Sequence, residues 1–312
     1  MAMTVFSSAE ADRQLPRGDE IFLDHVAHFV RDRDAASAAL VRAGFAPTPV
    51  SIQSNPDPAG GPPRLTGTGN VTAMFARGYV EALFKTAETP IAQEFARALA
   101  RHPGLHLAAF AVADARGAHA RLAAEGFRVR PLVEMSRPVD TATGPDTAAF
   151  TIARVEPGVM PEGRIQILTH RTEAAVWQPR WLTHPNGAVG LADVVIAVAD
   201  VDEVAARFAR FTGRAAKTYE SGRAIVLDRG RVHLVTADVF TAVLPDVPVP
   251  TLPFIGAYGV IVSSLDGAEG ALQHGGVKAR RAGRVLVAPF PQELGLGAWL
   301  LVEAASDLPW SP

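Results

Sequence analysis

Four times along the chain one phrase recurs, an apolar run closed by a polar residue and followed by a helix-like segment. LDHVAHFVRD spans Leu23 to Asp32, and RDAASAALVRAGF after it reads as a helix ending at Gly44. LHLAAFAVAD, Leu105 to Asp114, is followed by ARGAHARLAAEGF. GLADVVIAVAD, Gly190 to Asp200, is followed by VDEVAARFARFTG, and FIGAYGVIVSS, Phe254 to Ser264, by LDGAEGALQHGG. A phrase repeated in this way is one supersecondary unit used four times, and that restricts the fold more than any composition does.

Turn-rich and apolar segments complete each unit. In the first, a strand over 23–30 and a helix over 33–43 lead to a strand over 45–50. The Pro/Gly/Ser-rich stretch 51–69 reads as a long loop, and strands follow at 70–76 and 79–85. A connecting helix is expected over 89–102. The second unit repeats the order, with a Pro/Thr/Gly loop at 137–147 and strands over 147–155 and 164–169. Four βαβββ units predict an α+β protein with two curved mixed sheets, each built from a pair of units, and helices outside. The division expected is a loose leader (1–19), an N-terminal domain (20–175), a linker (176–189), a C-terminal domain (190–305) and a tail (306–312). A sheet curved by paired units leaves a concave face suited to a small ligand. Paired units can close that cleft within one chain, so a monomer and a homodimer are both compatible with it.

Composition narrows the partners. Net charge is −2 and the pI is near 6.5, so nothing draws the chain to nucleic acid or an anionic membrane. The densest basic run, KARRAGR at 278–284, reads as a solvated strand edge. There is no cysteine, which excludes disulfides, thiolate metal sites and cysteine nucleophiles and agrees with a cytoplasmic protein. No apolar run approaches the roughly 20 residues of a membrane span. The partner expected is a small-molecule substrate.

LDHVAHFVRD, the helix ending AGF, GTGN and GYVEALF together resemble the vicinal-oxygen-chelate superfamily, and within it the glyoxalase-like domain family. The resemblance runs from about Leu23 to Glu303. It implies a divalent metal (Zn, Ni, Fe or Mn) bound by the first and last strands of paired units. On this sequence those positions are His25 and Glu81 in the first unit and His106 and Gln166 in the second. Glu81 would also move a proton, and Asn70 would contact substrate unless it is a turn residue after Gly67 and Gly69. His106 stands eight residues before Asp114, whereas His25 stands seven before Asp32. At a period of two, that slip turns a side chain to the opposite face unless a bulge corrects it. In the second half the corresponding residues, Asp193 and His233, make no complete ligand set. His170, Trp177, Trp181, His184 and Asn186 concentrate in the linker and read as a staple between halves.

The function implied is a glyoxalase-like protein holding a small oxygenated metabolite, with metal Lewis-acid catalysis of the isomerase or lyase type. The alternative is a metal-free protein that sequesters a small molecule, of the bleomycin-resistance type. An extradiol-type dioxygenase would need two histidines and a glutamate in clean register in one half.

Overall fold

Each repeated phrase becomes a strand, and its closing polar residue becomes a helix cap. The side chain of Asp32 accepts from the backbone N–H groups of Asp34 and Ala35. Asp114, Asp200 and Ser264 cap the three equivalent helices in the same way. The repeat therefore encodes a strand, a stop and a helix start, the stop satisfying N–H groups that a helix leaves open. The computed structural model describes residues 13–57 and 59–310. No helix among them is long and apolar enough to cross a membrane.

The N-terminal half begins with β1 (Ile21–Phe29), α1 (Arg33–Arg42), β2 (Ser51–Asn55), β3 (Arg64–Met74) and β4 (Tyr79–Lys85). After α2 (Pro90–Arg101) come β5 (Gly104–Val112), α3 (Ala115–Ala124), β6 (Val133–Thr141), β7 (Gly144–Arg154) and β8 (Arg164–His170). The eight strands close into a barrel in the order β1-β4-β3-β2-β6-β7-β8-β5. β1 pairs in parallel with β4, β5 in parallel with β8, and the two units meet antiparallel along β1 and β5. The other closure, β2 to β6, has a single registered pair, Ser54 with Ser136.

After α4 (Glu173–Val176), the C-terminal half contains β9 (Ala188–Ala197), α5 (Val201–Thr212), β10 (Ala216–Tyr219), β11 (Gly222–Val226) and β12 (Arg231–Val235). It continues with α6 (Ala237–Val243), β13 (Phe254–Val262), α7 (Leu265–His274), β14 (Arg280–Ala282), β15 (Val285–Pro289) and β16 (Ala298–Val302). Its sheet runs β10-β11-β12-β9-β13-β16-β15-β14. One apolar core spans both halves, joining Leu23 and Val26 of β1 to Val194, Ile196 and Tyr258. All nine residues of β1 are buried. One of its faces meets that shared core and the other meets the lumen, which is why the sequence shows an apolar run and not a polar–apolar alternation.

Several expected boundaries differ. Residues 45–50 are not a strand; β2 lies within the stretch read as a loop. The stretch 137–147 is the tip of the β6–β7 hairpin, paired from Val133 with Ile152 to Thr141 with Gly144. Pro138 is tolerated there because β6 has no registered β2 partner beyond Ser136. The segment read as a leader is partly anchored: Arg229 donates to the carbonyls of Arg13 (2.8 Å) and Gln14 (3.1 Å). Residues 1–12 of it lie outside the described residues. The segment read as a tail packs Leu308 and Trp310 into the C-terminal core. In the linker, His184 donates to the Met74 carbonyl (2.8 Å) and accepts from the Ala46 N–H (2.9 Å). Asn186 donates to the Ala43 carbonyl and accepts from the Ala188 N–H. Both side chains have their hydrogen bonds inside the protein, as a staple requires.

Candidate functional site

Strand alternation decides which side chains enter the barrel. From β1 and β4 the lumen receives His25, Tyr79, Glu81 and Leu83; from β5 and β8 it receives Leu107, Arg164, Gln166 and Leu168. The two units match position by position, because Ala27 pairs with Glu81 and Ala109 with Gln166. Leu107 therefore occupies in the second unit the place of His25 in the first, and Gln166 that of Glu81.

His25, Glu81 and Gln166 share the lumen. His106 does not. It faces away, its ring stacked on His102 at 4.2 Å and its Nε2 donating to the His102 carbonyl at 2.7 Å. Burial pushes its pKa down to about 3, which keeps it neutral. The β1–β5 ladder passes from Leu107 to Leu105 and skips His106, so a bulge is present on β5, but His106 is its unpaired residue and Leu107 is the side chain that enters the lumen. A like irregularity on β1, between Leu23 and His25, leaves Asp24 as the unpaired residue there.

Asp24 is fully buried and accepts from His25 Nδ1 at 2.7 Å and from His170 Nε2 at 2.9 Å. Burial alone would raise its pKa. The two imidazoles outweigh that and hold it well below the usual carboxylate range. With Nδ1 committed to Asp24 and the ring stacked on Tyr79 at 4.4 Å, His25 directs Nε2 into the lumen, 3.9 Å from Glu81 Oε2. Glu81 is held in turn by Asn70, whose amide donates to Oε1 at 2.7 Å. Asn70 is buried within β3 and is no turn residue.

Three arginines complete the lumen: Arg137 from β6, Arg154 from β7 and Arg164 from β8. Arg154 donates through Nε to Gln166 Oε1 at 2.9 Å. Among the described residues the guanidiniums of Arg137 and Arg164 have no hydrogen-bond partner; Arg164 rests over the Phe29 ring at 5.4 Å. Burial lowers the pKa of all three, that of Arg154 to about 9, so they stay charged at neutral pH. Glu81 is the carboxylate that faces them. Arg137 is buried and Arg154 and Arg164 are half-buried. With Glu94 answering the latter two from outside the lumen, the three cations still outnumber the carboxylates that face them.

That donor set does not fit a divalent metal. One imidazole and one carboxylate converge. The amide oxygen is taken by Arg154, and the fourth place belongs to Leu107. Among the described residues no three His, Cys, Asp or Glu side chains come together as a metal cage. Three guanidiniums beside the same carboxylate would also oppose an added dication. The lumen arginines, Asp24 and His170 were not foreseen from the sequence. The available signal was Arg164, two residues before Gln166 and hence on the same strand face.

In the C-terminal half the corresponding pair is closed. His233 Nε2 donates to Asp193 at 2.6 Å, Arg231 Nε lies 3.0 Å from both Asp193 oxygens, and the Tyr219 hydroxyl is 3.0 Å from His233 Nδ1. Trp310 is packed into the same region, 6.4 Å from the His233 ring.

The profile of the glyoxalase-like domain family matches residues 23–212. A search among curated proteins finds no match. Among solved structures, a hypothetical protein from Staphylococcus aureus superposes with a TM-score of 0.60 at 9% identity, covering 90% of this chain and 98% of that one. A mutant of 4-hydroxymandelate synthase from Streptomyces coelicolor gives 0.57 at 15% identity, covering 93% and 94%. A xylose isomerase-like TIM barrel/4-hydroxyphenylpyruvate dioxygenase fusion protein gives 0.52 at 12% identity, covering 94% of this chain and 50% of that one. At these identities the likeness concerns the fold.

Proposed function

Since the chain belongs to the glyoxalase-like domain family of the vicinal-oxygen-chelate superfamily, we propose that its N-terminal barrel binds the oxyanion head of a small oxygenated acid and transfers a proton on it without a metal. The observation that carries this reading is the meeting of the Asp24–His25 pair with three guanidiniums in one lumen. The arginines take the charge-stabilising place that a metal holds elsewhere in the superfamily. A carboxylate or developing enolate oxygen there would receive hydrogen bonds that Arg137 and Arg164 do not make within the protein. His25 is the base. Asp24 fixes its tautomer, so that Nε2 can take a proton from the carbon beside the oxyanion and return it, with no net change in redox state. Glu81, oriented by Asn70, is the second group within reach of that proton. The lumen has a volume of about 30 Å³, on the order of two water molecules. It suits a head group and not a whole metabolite.

The test is calorimetry and proton NMR in D2O with a panel of small 2-oxo and 2-hydroxy carboxylates. We expect saturable binding that weakens at least about tenfold in Arg137→Gln, as loss of a charge-assisted bond of roughly 1.5–3 kcal/mol implies. Exchange at the α-carbon should vanish in His25→Gln while binding persists. Exchange that survives His25→Gln refutes the base assignment. Binding without exchange in the wild type would leave the sequestration reading.

A further inference from the structure

Below the lumen, at the barrel end formed by the last residue of β1 and the start of β8, lies a larger chamber of about 320 Å³. It is walled by α2 and the 155–163 turn. Its floor is apolar, with Phe29, Met160 and Ile165 each at most 3% exposed. Its charge is positive. Arg97, Arg101, Arg130, Arg154 and Arg164 face Glu94 and Glu156, three more cations than anions. Arg130 is taken up by Glu94 through bonds of 2.8 and 3.2 Å, and Arg101 braces the carbonyls of Pro161 and Pro253. Arg154 and Arg164 line both the chamber and the lumen. They are the shared wall, and each interacts with Glu81 on the lumen side and Glu94 on the chamber side.

We propose that the chamber holds the apolar body of an amphipathic organic acid whose carboxylate reaches Arg154 and Arg164 at the lumen mouth. The inference rests on the lumen as the head-group site and names the class of molecule attached to that head. A volume of about 320 Å³ falls within the range of small-ligand pockets. An apolar floor beneath a cationic rim has no use for a sugar or a polyphosphate. It matches an aliphatic or aromatic chain ending in one carboxylate. His106 belongs to this chamber, where its neutral ring adds to the wall without adding charge.

The experiment is isothermal titration of the full chain with straight-chain carboxylates from acetate to octanoate. Affinity should tighten about fourfold per added CH₂ until the chamber is full, the gain expected for burying one methylene. Ala98→Trp, on α2, and Pro157→Trp, on the exposed turn, each fill the chamber from a different side. Both should flatten the chain-length dependence while leaving acetate binding in place. An affinity that does not rise with chain length in the wild type, or a rise that persists in both filled variants, overturns the proposal. Acetate titrated into Arg137→Gln reads the lumen separately. Acetate binding that ignores this change sinks the head-group assignment, while the chain-length series still decides the chamber.

Discussion

Arg137 offers the sharpest test, because its removal should strengthen the fold and destroy the site. Its side chain is 8% exposed, and its guanidinium has no hydrogen-bond partner among the described residues. Burial lowers its pKa, opposed by Tyr79 and Glu81. Burying an ion costs several kcal/mol unless it is well paired, and replacing buried charge by packed apolar atoms is often stabilising by about 1–4 kcal/mol. Met fits the place, which adjoins Met74, Val139 and Val176. Allowing for the attraction to Glu81 that is lost, Arg137→Met should stabilise by about 1–3 kcal/mol. In a chain of this size that raises Tm by on the order of 2–8 °C. The assay is thermal unfolding with and without a saturating small carboxylate. Wild type should gain about 2.7 kcal/mol at a hundredfold excess over its Kd, and the variant, at least about tenfold weaker, no more than about 1.4 kcal/mol at the same concentration. A lower Tm in Arg137→Met would mean that the cation is structurally paired. An undiminished ligand shift would remove it from the site.

Three further outcomes follow from the same geometry. Asp24→Asn leaves one of two imidazole N–H groups facing an amide N–H, and should cost about 3–5 kcal/mol in urea unfolding at pH 7. The folded-state pKa of Asp24 is depressed, so its contribution is present above the unfolded value near 3.9 and lost as pH falls toward the folded one; the variant should show a shallower acid limb between pH 4 and 2. His28, with Nδ1 donating to the Leu294 carbonyl at 2.9 Å, is pushed by burial to about 4. The unfolded chain then binds the extra proton between about pH 6.5 and 4, and stability should fall there by up to about 1.4 kcal/mol per pH unit. An unchanged slope in His28→Gln would show that another group sets it. Finally, Leu107→His with Gln166→Glu would place four metal-type side chains at the paired positions. Zinc should then raise Tm by several degrees in that variant and not in the wild type; no response would refute the positional match between the two units.

What the sequence made legible was set by how strongly each segment is determined by local pattern. The four opening strands are apolar on both faces, so they stand out without any partner in view. Their caps and following helices share that clarity. β2 and the β6–β7 hairpin were hidden because SIQSN and SRPVDT carry turn-type residues, and the barrel supplies the pairing that makes them strands. α6 was hidden by its seven-residue length, although Thr236 caps it through the Val239 N–H. Within the site, His25 and Glu81 were visible because metal-type residues in apolar strands are conspicuous. The arginines were not, since an arginine in a strand reads as a solvated side chain until the barrel closes around it. His106 illustrates the limit differently. Its one-residue slip was readable, but only the β1–β5 ladder shows that the bulge falls on His106 itself and turns Leu107, not His106, into the lumen.

The two halves start from equivalent polar positions and end in opposite electrostatic states. In the C-terminal half, Asp193 is answered by Arg231 and His233, and His233 by Tyr219, so each charge and ring nitrogen has a partner inside the protein. Trp310 and α6 fill the remaining space. In the N-terminal half the corresponding network stops short. Asp24 is satisfied by two imidazoles, but Arg137 and Arg164 are left with unspent donors, and the Asn70 Oδ1 and His170 Nδ1 atoms are buried without partners. Buried polar groups without partners are costly, and at the equivalent positions of the other half Asp193, Arg231 and His233 satisfy one another. Guanidinium donors left open in a lumen are the pattern expected where an outside molecule completes the network. Because the open donors are mainly guanidinium N–H groups, the missing partner is an acceptor with negative charge.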